Sequence, residues 1–162
     1  MKNKYPIERI KEIFPYFPVV LATIGNNIIT LDFVQFFSFN PPIIGIGICP
    51  DNYSHELIKE RKEFVVNIPT VELVNEVKFC GNNSGKNFDK FLETGLTSKR
   101  AEKVNGQLIA ECPVNIECKV IKEDRIGNCD WFFGEVKEVH VAKNYKSTHA
   151  LLYSNNEYQK LK

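Results

Sequence analysis

At 162 residues, with 43% hydrophobic and 25% charged residues, the chain has the make-up of an ordinary soluble globular protein and enough length for one sizeable core. Its net charge is +1 and its basic residues are scattered, so no bulk field favours nucleic acid or an anionic membrane. No run approaches ~18 apolar residues, and "MKNKYPIERIKEIF" carries charges at helical spacing instead of an apolar leader core; no membrane span is expected, and a cytoplasmic protein is.

Residues 6–14 predict a short amphipathic helix with Ile7, Ile10 and Phe14 on one face. "FPVVLATIGNNIITLDF" predicts two strands around Gly25-Asn26-Asn27, because Gly and Asn tolerate positive φ and favour a hairpin. "PPIIGIGIC" is a third strand, whose Gly45 and Gly47 share one face open to close approach. A helix follows over "HELIKERK", with Ser54 placed to cap it and Glu56 suiting its first turn. "EFVVNIP" predicts a strand ending at Pro69, and Thr70 suits the cap of a helix in "VELVNEVKFC". From Gly81 to Gly106 the chain reads as polar loop, with one short helix in "NFDKFLET". "CPVNIECKVI" and "DWFFGEVKEVHVA" are long strands, and "ALLYSNNEYQKLK" is a short strand or extended tail. There is no repeat, low-complexity tract or linker, so residues 1–162 are expected to form a single domain. Regular βα alternation is missing, and neither G-x-G-x-x-G nor the P-loop pattern occurs. A mainly β protein follows, an antiparallel barrel with peripheral helices.

The side chains give no nucleophile-and-base arrangement. His55, His140 and His149 are scattered, and Glu135 and Glu138 read as solvated strand residues, so no catalytic side chain is assigned. The five cysteines, Cys49, Cys80, Cys112, Cys118 and Cys129, form no C-x-x-C and have no histidine at zinc spacing. They are expected to be free thiols in a reducing compartment, without a metal site. Any activity is therefore expected to come from a bound cofactor.

Three stretches suit a phosphate-bearing heteroaromatic ligand. In "SFNPPIIGIGICPDNYSHELI" a strand, a turn and a hydroxyl-bearing helix start are crowded together; Ser54 either caps its helix or adds a donor to the anion-friendly N-terminus. In "CGNNSGKNFDKF", Gly81 and Gly85 permit bends that turn N–H groups inward, Ser84 adds a hydroxyl, and Lys86 and Lys90 add charge; the same pattern also suits a surface loop. In "NNIITLDFVQFFSFNPP", Asn27 and Thr30 stand beside Ile28, Ile29 and Phe33, a mixture fitting a flat ring or a half-buried hairpin.

The series "FPVVLATI", "NIIT", "SFNPPIIGIGI", "YSHELIKERKEFVVNIP", "CGNNSGKNFDKF" and "CPVNIECKV" through "GEV" resembles the flavin reductase-like family of FMN-binding split barrels, flavoredoxins included, over about Phe17 to Val136. The resemblance implies a Greek-key-like antiparallel split barrel of FMN-binding type, homodimeric, with FMN near the subunit interface. It puts Asn27 and Thr30 at the flavin ring edge, with Ile28, Ile29 and Phe33 beside them. Ser54, next to Tyr53, matches an FMN-contacting Ser or Thr, and Lys90 a cationic FMN contact. Ser38 lies in the matching "S.NPP", and Gly81, Ser84 and Gly85 contribute the loop.

The chain also departs from the family. "NIITLDF" stands where relatives read "NIMTVAW", so Phe33 lacks an indole donor and Asp32 either faces solvent or burdens the reduced flavin. "GNCDWFFGEV" stands where relatives read "GDH", so Cys129 replaces a histidine near flavin and nicotinamide. Cys129 is then a ring neighbour or an ordinary small apolar residue, and reduction by NAD(P)H loses support. The resemblance thus implies an FMN-dependent redox protein, either a flavoredoxin-type electron carrier working with a redox partner protein or an NAD(P)H-dependent flavin or ferric reductase. Its rivals are a flavin-free barrel dimer serving as a binding module and, more remotely, a pyridoxamine-phosphate-oxidase-like enzyme.

Overall fold

The computed structural model describes residues 1–161. A 3-10 turn (Ile7–Arg9) leads into α1 (Ile10–Ile13), and β1 (Phe17–Pro18) follows. The expected apolar face of this N-terminal helix is not buried: Ile7, Ile10 and Phe14 are all exposed. Next come β2 (Val20–Ile24) and β3 (Asn27–Leu31), joined by a two-residue turn at Gly25 (φ 59°) and Asn26. The hairpin is the expected one, with Asn27 belonging to its second strand opposite Ile24.

β4 (Val34–Phe39), which periodicity did not reveal, pairs with β5 (Pro42–Ile48). Then come α2 (Tyr53–Arg61), β6 (Glu63–Ile68), a 3-10 turn (Val71–Leu73), α3 (Val74–Asn82) and α4 (Lys90–Thr94). A small ribbon pairs β7 (Ser98–Arg100), inside the stretch read as loop, with β8 (Gln107–Ile109), just beyond it. The long strands β9 (Val114–Ile126) and β10 (Cys129–Val141) follow, and the tail is a hairpin of β11 (Leu152–Ser154) and β12 (Glu157–Gln159), to which β1 adds.

The main sheet has seven strands in the order β3-β2-β6-β9-β10-β5-β4, and every pairing is antiparallel. The interior takes Val20, Ala22 and Ile24 from β2, Ile44, Ile46 and Ile48 from β5, Phe64 and Val66 from β6, and Phe132 from β10. A second core outside the β2–β3 hairpin gathers Leu21, Ile28, Val77, Cys80 and Leu151. Strand β2 is thus covered on both faces, which is why "VLATI" lacks polar alternation.

Glu117 is fully buried on β9 and ties the connection between β7 and β8 to the sheet. Its carboxylate accepts from the backbone N–H groups of Glu102 (2.9 Å), Lys103 (2.5 Å) and Val104 (3.2 Å), and lies 2.8 Å from His140 Nε2. Burial pushes its carboxyl up, but these donors and His140 outweigh that and hold it below the ordinary value. Its stabilising contribution is therefore present at neutral pH and lost as pH falls through the lowered value. Glu117→Ala leaves buried N–H groups unpaired and is expected to lower unfolding free energy by on the order of 3 kcal/mol in a urea titration.

Candidate functional site

Helix α2 begins at Tyr53, with Asn52 as its N-cap, so Ser54 lies in the first turn and is not the cap. The Asn52 side chain turns back, its Nδ2 donating to the Cys49 carbonyl at 3.3 Å. Ser54 is instead held by the hairpin, since Asn27 Nδ2 donates to Ser54 Oγ at 2.7 Å. With its oxygen engaged, the buried hydroxyl keeps its proton for another acceptor.

Asn27 also meets Gly85, where a Cβ would overlap Asn27 Oδ1 and stand 3.2 Å from Tyr53 Cδ1. Here glycine is required by space. At the other glycine of this loop the expectation changes: Gly81 is in the last turn of α3, not in a loop, and Thr30 packs 3.3 Å from where its Cβ would be.

Lys90 opens α4, whose N-cap Asp89 accepts from Leu92 N at 3.2 Å. The helix start turns Lys90 inward, and the residue is buried. Its Nζ donates to the carbonyls of Ile28 (2.6 Å) and Cys80 (2.8 Å), and among the described residues it has no carboxylate partner. Burial pulls its ammonium below the ordinary lysine range, with the nearby Cys80 thiol acting in the opposite sense. A buried cation without a counter-charge is costly, and an ammonium has a third donor to offer. Both facts suit an anion.

Ser54 and Lys90 line one cleft of about 190 Å³ with Ile29, Tyr53, Gly81, Ser84 and Gly85. A neighbouring cleft of about 430 Å³ shares Tyr53, Gly85 and Lys90 and adds Asn27, Lys86 and Arg61. Arg61 was missed in the sequence, yet Tyr53, Leu57 and Arg61 are spaced by four and form one face of α2 lining this cleft. Phosphate-sized space, a hydroxyl, a buried ammonium and a glycine-floored loop therefore meet in one place, and the residues present fit FMN's phosphate end.

The remaining candidates lie apart. Ile28 is core, contributing only its carbonyl to Lys90. Thr30 donates to the Val77 carbonyl at 2.7 Å and faces a different groove, beside Asp32. Asp32 itself pairs with Lys11 (3.1 Å) on the outside. Phe33 is partly exposed and stacks on Trp131, ring centroids 5.9 Å apart, above Gly47. Ser38 sits on β4 opposite Ile43, away from both clefts.

Cys129 corrects the expectation of free thiols, because it forms a disulfide with Cys49. Cys80, Cys112 and Cys118 are free and buried. Beneath α2, His55 Nε2 and Asp130 Oδ2 lie 2.5 Å apart, and Arg125 completes the group through the same carboxylate. Arg125 first and His55 second hold the Asp130 carboxyl down at about 2. This cluster anchors the helix start to β10, an arrangement that a lone histidine in the sequence does not disclose.

The family described as "Flavin reductase like domain" matches residues 12–162. An uncharacterised protein of Archaeoglobus fulgidus is 41% identical over 113 residues, 70% of this chain; the chain spans 64% of that relative's length. Among solved structures, flavoredoxin of Desulfovibrio vulgaris (Miyazaki F) superposes with a TM-score of 0.83 at 25% identity, covering 92% of this chain and 88% of that one. A Shewanella frigidimarina protein with a split barrel domain gives a TM-score of 0.83 at 18% identity, over 93% of this chain and 85% of that one, a likeness of fold alone. The seven-stranded antiparallel arrangement is thus that of the split-barrel proteins.

Proposed function

The chain belongs to the flavin reductase-like domain family, and from that premise we propose that it binds FMN and serves as a flavoredoxin-type electron carrier. The observation carrying this reading is the meeting in one cleft of Ser54 and the buried Lys90, which has no carboxylate partner among the described residues. Ser54 and Lys90 hold the phosphate, the loop at Ser84 and Gly85 closes over it, and Asn27 and Tyr53 continue the site toward the ring. FMN supplies the redox chemistry when bound; the chain binds and orients it. The survival of every anion-holding element favours this over a flavin-free binding module.

A carrier is favoured over an NAD(P)H-dependent reductase because Cys129 is tied to Cys49 and offers neither the proton nor the ring nitrogen of the histidine that the family resemblance implies at this position. The expected test result is a yellow protein that takes up FMN and bleaches with dithionite but only slowly with NADH or NADPH in a stopped-flow mixer. Fast bleaching by either nucleotide overturns the carrier reading, and failure to take up FMN overturns the flavin reading.

A homodimer is part of the same proposal. Phe36, Phe37 and Phe39 leave β4 exposed, next to the Phe33–Trp131 stack, and a second copy of the chain is the partner that would cover them. Sedimentation equilibrium is expected to give twice the single-chain mass; one 18.6 kDa species would contradict the dimer.

A further inference from the structure

Cys49 follows the last residue of β5, and Cys129 is the first residue of β10. The ladder pairs Trp131 with Gly47 and Asp130 with Ile48, so its next step sets Cys129 opposite Cys49. Their disulfide lies on the strand face shared with Gly47 and Trp131, outside the interior that Ile48 and Phe132 fill. Cys129 is buried, whereas Cys49 is partly exposed.

We infer that the Cys49–Cys129 disulfide is a second redox centre of this protein, opened and closed by exchange with soluble thiols that enter at Cys49. This rests on the two sulfurs and their surroundings, independently of FMN binding.

Cys49 differs from the free cysteines in the access that governs exchange. Cys80, Cys112 and Cys118 are enclosed in the cores, and burial pushes the Cys80 and Cys118 thiols up to about 11 and about 12. Neutral and enclosed, they neither attack nor intercept. Cys49 instead stands just before the positive end of α2, and its carbonyl accepts from Asn52 N at 3.0 Å. Its partial exposure makes it the member of the pair that a donor thiol can reach.

Opening the bond also leaves the fold in place. β5 and β10 remain paired from Asp130 to Glu135 by the ladder itself, and His55 with Arg125 still holds Asp130. A disulfide at the end of an intact ladder is free to cycle.

The exchange balances as follows. A thiolate of the donor attacks Cys49 Sγ and forms a mixed disulfide, while the Cys49–Cys129 bond breaks and Cys129 leaves as a thiolate that takes up a proton. A second donor thiol attacks the donor sulfur of the mixed disulfide. Cys49 then departs and is protonated, and the donor leaves as its disulfide. Two electrons and two protons pass from the thiol pair to the protein.

The test counts thiols in the folded full-length chain equilibrated with buffers of reduced and oxidised glutathione, using a thiol-specific reagent and mass spectrometry of the blocked protein. The expected result is that Cys49 and Cys129 become reactive together as reduced glutathione rises, and become protected again when oxidised glutathione is restored. Cys129→Ser is expected to trap glutathione on Cys49, at least about tenfold more than Cys49→Ser traps on Cys129. A folded wild-type protein whose thiol count does not respond to the glutathione ratio overturns the inference, even if neither variant folds. So does equal trapping at the two positions. Loss of FMN uptake with normal cycling would contradict the flavin reading and leave this one standing.

Discussion

Replacing Lys90 with methionine is expected to weaken FMN binding about 100-fold, close to 2.7 kcal/mol, measured by quenching of flavin fluorescence. A charge-assisted hydrogen bond to a phosphate accounts for about 1.5–3 kcal/mol, and Lys90 is buried where water screens it little. Folding should survive the change. Methionine abandons the carbonyls of Ile28 and Cys80, but it also removes a buried ammonium that has no ion-pair partner among the described residues. The free protein is therefore expected to unfold within a few degrees of wild type, while the stabilisation conferred by FMN largely disappears. pH adds a check with a defined sign. Burial lowers the Lys90 value in the free protein, so FMN affinity falls as pH rises through that lowered value, before an ordinary lysine would lose its proton. Lys90→Met should abolish that alkaline decline.

Gly85→Val is expected to cost still more, at least about 100-fold in FMN affinity, because it acts on the shape of the cleft and on Ser54 together. Even one added carbon overlaps Asn27 Oδ1 and crowds the Tyr53 ring. Asn27 must swing away, and the hydrogen bond that orients Ser54 goes with it. Gly85→Ala should fall between valine and wild type. Since Gly85 is in an exposed loop connection, circular dichroism should report an unchanged fold in both. Equal affinity in wild type and Gly85→Val would mean that the loop is not a wall of the site.

Much of this site was legible before any coordinates. Gly25 and Asn26 announce the hairpin because a two-residue turn needs positive φ, and the hairpin is what delivers Asn27 to Ser54. The hydroxyl at the helix start and the lysine in "DKF" do reach the same cleft. The cap was misplaced by two residues because Asn52 and Ser54 are both good N-cap residues, and only the tertiary contact with Asn27 separates them. Strand β4 was invisible for a different reason: "VQFFSF" has no fully buried face, so its aromatics break the alternation that marks a half-buried strand. The Cys49–Cys129 pair, 80 residues apart, depends on the register between β5 and β10, which no local pattern encodes. The same holds for His55 with Asp130, and for the stacking of Phe33 on Trp131 at the outer face.

If Ser54 and Lys90 hold a phosphate, comparing FMN with riboflavin reveals it most directly. The two ligands share the ring and differ by the phosphate alone. Calorimetric titration of the wild-type chain is expected to show FMN binding at least about 100-fold more tightly than riboflavin. Equal affinities for the two would contradict the account.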